Sequence, residues 1–178
     1  GRVSTLAGYP AGFEYEGAPA AFGRLLFDPR GIAADPQAGA VYVSEAQGHT
    51  VRRVDLQAQP WTISTLYGHA LEPGDGPGEL NSPRGMALDS VRRLLYVAEA
   101  DNHLVRAIDL TTNPATSFVI AGKSGVRGFL DDAQDATEAL LNGPEALALS
   151  GNGSLYVADT GNHRVRRIVL PSDPRQGL

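Results

Sequence analysis

One short pattern occurs three times in this chain and limits its possible folds more than any other feature. Residues 41–54 read VYVSEAQGHTVRRV, residues 95–108 read LYVAEADNHLVRAI, and residues 155–168 read LYVADTGNHRVRRI. Tyr42, Tyr96 and Tyr156 mark successive copies, separated by 54 and 60 residues. Self-similarity at such intervals indicates supersecondary units that bury their apolar surface against one another. The sequence therefore predicts a repeat architecture.

The second repeat can be divided into four short strands. The runs ISTLYG (63–68), GMALD (85–89), LLYVAEA (94–100) and LVRAIDL (104–110) are rich in apolar and β-branched residues. Gly, Pro, Asp and Asn lie between them, as expected for turns and loops. Repeated groups of four short strands predict the antiparallel blades of a β-propeller. No segment keeps a helical period for three turns, and residues 131–142 are expected to form at most a turn or two of helix.

The strands of each blade are labelled A to D from the propeller axis outwards. GMALD, LLYVAEA and LVRAIDL are strands A, B and C of one blade, and the run before each strand A is a strand D. The chain order is therefore D-ABC three times, in units of about residues 3–56, 63–110 and 118–170. Residues 171–178 form a C-terminal tail.

These residues resemble the NHL-repeat β-propeller family. LYVADTGNHRVRRI is similar to the family's central motif, and PRG at 29–31 and 83–85 is similar to its entry into strand A. The copies differ in places. Gly48 stands where the later repeats have Asn102 and Asn162, and the third repeat has PEA at 144–146 instead of PRG. The resemblance implies a closed propeller of six blades.

Three blades are too few to close a ring, since propellers have about four to eight. We therefore expect an all-β chain of three four-stranded antiparallel blades that completes a six-bladed propeller as a homodimer. Residues 3–8 of one copy would add strand D to the blade at 143–170 of the other, which covers both bare edges. The alternative is that the sequence is a fragment of a longer propeller chain.

Each repeat carries one acidic residue at the end of strand B and one arginine in strand C. The arginines lie on the same face as a nearby apolar residue, because side chains alternate along a strand. One such pair per blade is typical of architecture rather than catalysis, so we interpret them as structural pairs. The residues are Glu45, Glu99 and Asp159 with Arg52, Arg106 and Arg166. Asn102 and Asn162 are expected to hydrogen-bond the backbone of their own turns.

Three histidines, His49, His103 and His163, recur at the B–C turns. Corresponding positions in neighbouring blades should be about 10 Å or more apart, whereas a zinc–histidine bond is about 2 Å long. We interpret these histidines as turn residues and predict no metal site and no cofactor.

The repeats differ most in the long loops that join strand D of one blade to strand A of the next. Long loops on a rigid scaffold are common binding sites, and these loops are acidic and contain aromatic residues. The same loops could equally be a solvated surface whose aromatic residues cover the blade ends. The candidate partner-binding residues are Phe13, Tyr15, Glu16, Glu72, Asp75, Phe129, Asp131 and Asp132.

Three charged residues follow the prolines of strand A at the mouth of the predicted channel: Arg30, Arg84 and Glu145. In a dimer they would form a ring of four arginines and two glutamates. Such a ring could bind an anionic ligand, or its members could pair with one another.

Three classes of function remain open. The first is a binding module for a protein, a peptide or a small ligand. The second is a six-bladed propeller enzyme similar to lactonases or lyases, which would need a channel metal, and Arg30 and Arg84 would repel a cation. The third is a structural or sensor module. A net charge of −5 and acidic loops disfavour nucleic acid as a partner. The sequence has no cysteine, and it has no run of eighteen apolar residues that would predict a membrane-spanning helix. The cellular compartment stays undetermined.

Overall fold

The computed structural model describes residues 1–3, 6–7, 26–129 and 135–177. The first sheet contains β1 (Pro29–Asp35), β2 (Ala40–Glu45), β3 (Thr50–Asp55) and β4 (Thr62–Tyr67). The second contains β5 (Pro83–Asp89), β6 (Leu94–Glu99), β7 (Leu104–Asp109) and β8 (Thr116–Gly122). The third contains β9 (Pro144–Leu149), β10 (Ser154–Asp159) and β11 (Arg164–Val169).

Every sheet is an antiparallel meander whose strands follow chain order. The prediction of an all-β chain built from antiparallel blades is confirmed. The third sheet has three strands within the described part of the chain, and β11 forms its edge. The only helices among the described residues are 3-10 turns at Ala136–Glu138, Thr160–Asn162 and Pro174–Gly177. In that same part of the chain, no helix is long and apolar enough to cross a bilayer.

The three sheets stack face to face, and the first strands of each lie side by side. β1 neighbours β5, and β5 neighbours β9. One apolar cluster between the first two sheets includes Tyr42, Leu95 and Val97, and another between the last two includes Tyr96 and Val157. Alternate residues of β6 thus point to opposite neighbours, as the two-residue period of a strand requires.

Burial of a blade depends on having a neighbour on each side. Every residue of β6 and β7 in the middle blade is buried. The outer blades are less well covered among the described residues: Ile32 of β1 is 69% exposed, and Val165 and Val169 of β11 are 75% and 68% exposed. Leu6 and Ala7 pack against Val43 and the rest of the apolar cluster on the outer face of the first blade.

Two glycines let the innermost strands approach closely. A Cβ on Gly85 of β5 would lie 2.6 Å from both the Ala146 Cα and the Glu145 carbonyl oxygen of β9. A Cβ on Gly31 of β1 would overlap the Arg84 carbonyl oxygen of β5. Because both obstacles are backbone atoms, the glycine of each PRG segment is a packing requirement.

The segment after β11 folds back onto the middle blade. Arg175 Nε donates to Asp109 Oδ2 at 2.5 Å, and Arg175 Nη2 donates to the Arg92 carbonyl oxygen at 2.7 Å. Arg92 Nε in turn donates to the Ser172 carbonyl oxygen at 3.0 Å. The bond from Arg175 lowers the pKa of Asp109 to about 2. These contacts attach the tail to the blade that precedes its own.

Replacing Gly85 with alanine should destabilise the protein. The added methyl group must push β5 and β9 apart, and overpacking of this kind costs about 1–3 kcal/mol. Urea unfolding followed by circular dichroism measures the change. Gly151→Ala is the matched control, since a Cβ there meets nothing within 4 Å. Equal stability of the two variants would contradict the close-packing argument.

Replacing Arg175 with glutamine should destabilise the protein in a pH-dependent way. The depressed pKa of Asp109 contributes stability that is present above the ordinary carboxyl pKa and is lost as the pH falls toward 2. We expect a loss of about 1 kcal/mol at pH 7, below the full value of the shift because Arg175 is partly solvated. The loss should shrink between pH 4 and pH 2. Urea unfolding across this range is the measurement, with the exposed Arg127→Gln as the control; a constant difference would contradict the mechanism.

Candidate binding face

The loops between strands D and A lie on the same face of the sheets as the B–C turns. The Leu71 amide donates to the Gly48 carbonyl oxygen at 2.9 Å, which joins the loop at residues 69–82 to the turn of the first blade. The Gly125 amide makes the same contact with Asn102, at 3.2 Å, in the second blade. The candidate binding face consists of these D–A loops and B–C turns.

The buried acid at the end of strand B fixes the end of each D–A loop. Glu45 Oε1 accepts a hydrogen bond from the Phe27 amide at 2.8 Å, and Glu99 Oε2 accepts one from the Asn81 amide at 3.1 Å. Asp159 Oδ1 accepts one from the Asn142 amide at 2.8 Å. In each blade the donor lies two residues before the proline of strand A. We call this contact the loop clasp.

The structure brings each strand-C arginine to the acid of its own blade. Arg52 Nη1 lies 3.4 Å from Glu45 Oε2, with both side chains 1% exposed. Arg106 Nε donates to Glu99 Oε1, and its Nη2 donates to the Asp75 carbonyl oxygen in the D–A loop at 3.2 Å.

The third blade repeats this arrangement with a longer contact. Arg166 Nη1 lies 3.8 Å from Asp159 Oδ2. Each acid therefore contacts both the arginine of strand C and the end of a loop. The predicted ion pairs belong to the clasp and support the candidate binding face from within.

Desolvation acts on the pKa of Glu99, the buried acid of the middle blade. Burial raises the pKa of Glu99 above its ordinary value, while Arg106, Asn102 and the Asn81 amide act in the opposite direction. A buried carboxylate is tolerated when several donors satisfy it, and Glu99 has three. Removing one donor should therefore be costly here.

The asparagines of the B–C turns are part of the same clasp, and the prediction that they bond their own turn backbone was wrong. Asn102 Nδ2 donates to Glu99 Oε2 at 2.7 Å and to the Gly74 carbonyl oxygen of the loop at 2.8 Å. Asn162 Nδ2 contacts Asp159 Oδ2 at 2.9 Å and the Gly128 carbonyl oxygen at 2.7 Å. The buried acid and the loop carbonyl offer paired acceptors that a solvated turn lacks.

The first blade uses a different residue for the same purpose. Where the other repeats have asparagine it has Gly48, and Thr50 Oγ1 donates to Glu45 Oε2 at 2.6 Å. The departure from the repeat pattern at Gly48 is thus compensated two residues later.

The histidines are turn residues that also link neighbouring blades. His49 and His103 both have left-handed backbone, with φ of 54° and 57°. His49 Nδ1 accepts a hydrogen bond from the Ser82 amide at 3.1 Å, and His103 Nδ1 accepts one from the Gly143 amide at 3.1 Å. Burial lowers the pKa of His49, which favours the neutral ring needed to accept this bond. Sequence reasoning missed this role because the donors lie in the next repeat.

No group of three or more histidine, aspartate or glutamate residues within the described ranges is arranged to hold a metal ion. At the position predicted for the channel mouth, Arg84 Nη1 forms an ion pair with Glu145 Oε1. Arg30 is paired instead with Asp28, at 2.8 Å between Nε and Oδ1. Arg84 and Glu145, which come from adjacent blades, therefore neutralise each other. For the predicted ring, this corresponds to pairing between its members rather than binding of an anion.

The candidate partner-binding residues have different surroundings. Glu72 and Asp75 are exposed in the D–A loop, and Asp75 Oδ2 accepts a hydrogen bond from Ser124 Oγ at 2.7 Å. The Cζ atom of Arg164 lies 3.9 Å from the centroid of the Phe129 ring, so this aromatic residue stacks on a β11 side chain. The remaining candidates, Phe13, Tyr15, Glu16, Asp131 and Asp132, lie outside the described residues.

Replacing Asn102 with alanine should loosen the loop at residues 69–82 and destabilise the middle blade. The change removes a donor from the buried Glu99 carboxylate and the bond to the Gly74 carbonyl oxygen, and leaving such groups unsatisfied costs about 1–3 kcal/mol. Hydrogen exchange should show faster exchange in this loop, and urea unfolding should give the lower stability. Asp101→Ala in the same turn is the control, since that side chain is exposed. Unchanged loop exchange in Asn102→Ala would disprove the clasp.

Comparison with known proteins agrees with this architecture. The NHL repeat family matches residues 141–168. Human NHL repeat-containing protein 2 is 31% identical over 151 residues, which are 78% of this chain and 20% of that protein. The chloroplastic protein SUPPRESSOR OF QUENCHING 1 of Arabidopsis thaliana is 28% identical over 153 residues, or 80% of this chain and 14% of that protein.

Among solved structures, an auxiliary nutrient binding protein from Bacteroides ovatus is similar, with a TM-score of 0.65 and 21% identity over 76% of this chain and 36% of the other. The chain thus spans a fifth or less of these two relatives' length and about a third of that solved chain, and the last similarity concerns the fold alone. The triplicated motif, the matched repeat and the shared blade fold agree: the chain carries an NHL repeat at residues 141–168, is similar to NHL-repeat proteins, and has the blade fold of β-propellers.

Proposed function

We propose that this chain is a binding scaffold that holds a protein, peptide or small-ligand partner on the face formed by its D–A loops and B–C turns. In this proposal two copies combine to make the complete scaffold. The observation that carries it is the loop clasp, which occurs in all three blades.

The clasp supports binding because it presents variable loops from a fixed frame. The loops enter each strand A at a point that is hydrogen-bonded to a buried acid, whereas their middle residues differ in length and sequence from repeat to repeat. Immobilising a loop in advance reduces the entropy lost when a partner binds. A clasp repeated three times therefore favours a recognition surface over catalysis at a single residue.

The charge of the loops favours a basic or polar partner. The loop at residues 69–82 presents Glu72 and Asp75 to solvent. Glu79 is turned inward, where Oε2 accepts a hydrogen bond from the Gly76 amide at 3.0 Å and shapes the loop. Exposed carboxylates on an ordered loop attract cationic groups and increase the rate of association.

The channel mouth contributes to this surface in a neutral form. Arg84 and Glu145 bridge two adjacent blades, so a ligand there would meet a paired guanidinium and carboxylate. A polar ligand that donates to one group and accepts from the other fits this pair better than a simple anion.

Two exposed blade faces support the pairing of chains. Ile32 on the first blade and Val165 on the third correspond to Met86 and Val105 of the middle blade, which are buried between blades. Apolar faces of this kind are covered in stable repeat arrays.

Binding can be tested with immobilised synthetic peptides of equal length, rich either in Lys and Arg or in Asp and Glu. The chain should retain the basic peptides preferentially, and retention should weaken with salt because exposed charges are screened. Glu72→Lys should raise the dissociation constant for a basic peptide by about threefold to tenfold, as expected for one surface charge.

The matched control is the double variant Gln57→Lys with Gln59→Lys. It changes the net charge by the same amount, but both side chains are exposed in a C–D turn on the opposite face. Its affinity should stay close to that of the unchanged protein. Equal weakening in both variants, or no preference for basic peptides, would exclude the loop face as a site for cationic partners.

A further inference from the structure

We infer that the edge strand β11 receives residues 2–8 of a second copy of this chain, with Ala7 opposite Val165 and Val3 opposite Ile168. This inference rests on the pairing of two chains within the proposed function and adds the surface and the register of that contact. We call the three sheets β1–β4, β5–β8 and β9–β11 the three-blade block. The evidence is that the two outer ends of this block match the contacts between blades inside it.

The first observation is the position of Leu6 and Ala7. Both pack against an apolar cluster of the first blade formed by Val43, Val54 and Ile63. Within the chain, Leu66 of β4 packs in the same way against the cluster of the second blade. Strand D of each blade thus lies on the face of the blade that follows it, and Leu6 and Ala7 occupy that position for the first blade.

The last blade repeats this relation. Ile120 of β8 belongs to the cluster that contains Leu155, Val157 and Ile168 of the third blade. The three strand-D segments end alike in sequence, as STLAG, STLYG and FVIAG. Residues 2–8 therefore correspond to a strand D whose own strands A, B and C are not those of the first blade.

The second observation is the edge of the third blade, where no strand among the described residues pairs with the outer side of β11. A groove of about 920 Å³ runs beside residues 164–168 and is bounded on its other side by Ala121, Phe129 and Leu141. The corresponding groove of the middle blade, beside Tyr67 and Arg106, is about 480 Å³ and is bounded by β8. The larger groove lies beside β11, where a paired strand would be placed.

The register follows from the two complete blades. Val51 pairs with Tyr67 and Val54 with Ile63 in the first blade, on either side of a shift in register. The second blade keeps the same pairs and the same shift one repeat later. Extending the correspondence by one more repeat places Val165 opposite Ala7 and Ile168 opposite Val3.

The side chains of the two segments also match. VST at residues 3–5 repeats IST at 63–65 with a single conservative change. RR at 166–167 repeats RR at 52–53, the two positions that pair with Thr65 and Ser64. The Arg–Thr and Arg–Ser pairs expected at β11 are therefore those present in the first blade, and Val165 opposite Ala7 repeats the Val105–Ala121 pair of the second blade.

The third observation is the histidine bridge between blades. His49 accepts from the Ser82 amide and His103 from the Gly143 amide. His163 has the same left-handed backbone but is exposed, and no described residue donates to its ring. The position of Ser82 and Gly143 is held in the first repeat by Asp28, which shares their positive φ of about 55°. Asp28 of a second copy is thus the corresponding donor to His163.

One internal contact cannot be copied at this seam between chains. Ala146 occupies the position of Gly31 and Gly85, whose missing Cβ atoms allow close approach to the next blade. The Cβ of Ala146 requires slightly wider spacing at the axis. Strand pairing at the outer edge then supplies a larger share of the contact between chains.

The test uses disulfide cross-linking, since the chain has no cysteine of its own. Residues opposite each other in antiparallel strands have Cα atoms about 4.5–5.5 Å apart, within the range of a disulfide. The double variant Ala7→Cys with Val165→Cys should form a covalent dimer on mild oxidation. Ala7→Cys with Val169→Cys is the control: Val169 is similarly exposed but lies four residues from the predicted position, about 13 Å along the strand. It should cross-link at least tenfold more slowly.

Sedimentation of the unchanged protein distinguishes the possible failures. A mass of twice 18.7 kDa with cross-linking in the predicted register supports both the pairing and the register. The same mass with equal or faster cross-linking in the control overturns the register and leaves the pairing of chains intact. A monomer, or a series of larger oligomers, overturns both, whereas peptide binding by the loop face is measured separately.

Discussion

A single propeller blade is too thin to bury its own apolar side chains, and the rest of this structure depends on that constraint. Alternate residues of each strand face opposite neighbours, so a blade is stable only when it is covered on both sides. The fully buried β6 and β7 show the result for the middle blade, and the exposed Val165 and Val169 show what a missing neighbour leaves bare. The inference that a second copy covers the outer faces follows from the same requirement.

The loop clasp couples this architecture to the candidate function. Glu99 sits inside the stack, where it must be paired, and its donors include both Arg106 of the blade and Asn81 of the loop. An interaction that satisfies a buried charge therefore also orders a surface loop. Because the clasp holds only the loop ends, the middle of each loop is free to vary without disturbing the core. This separation explains why every repeat has an acidic residue at this position (Glu45, Glu99 or Asp159), whereas the loop sequences differ from one repeat to the next.

The sequence was sufficient to predict features that depend on local pattern. Strands, blade count and the pairing of acid with arginine follow from alternation and from the threefold repeat. Features that depend on the path of a loop through space were missed. Asn102 bonds the Gly74 carbonyl oxygen and His49 accepts from the Ser82 amide, and in both cases the partner is about 30 residues away in another element. A periodic pattern places each repeat but carries no signal for such contacts across blades. The positive φ of His49 and His103 does not signal the bridge between blades, because the turn needs this backbone conformation with or without a bridge.

Contacts inside the block differ in kind from those available at its ends. Between the first two blades, Arg93 donates to both carboxylate oxygens of Asp35, at 2.9 and 2.7 Å. These bonds lower the pKa of the Asp35 carboxyl group. Arg93 adopts a φ of 56° where the other repeats have Gly39 and Gly153, so this ion pair is kept despite an unfavourable backbone. At a seam between chains the corresponding residues are Gly39 and Ser150, which cannot form an ion pair. An assembly of two chains should therefore separate at the seams between chains while each three-blade block stays intact, because the Asp35–Arg93 ion pair joins the first two blades and the Arg84–Glu145 ion pair joins the last two.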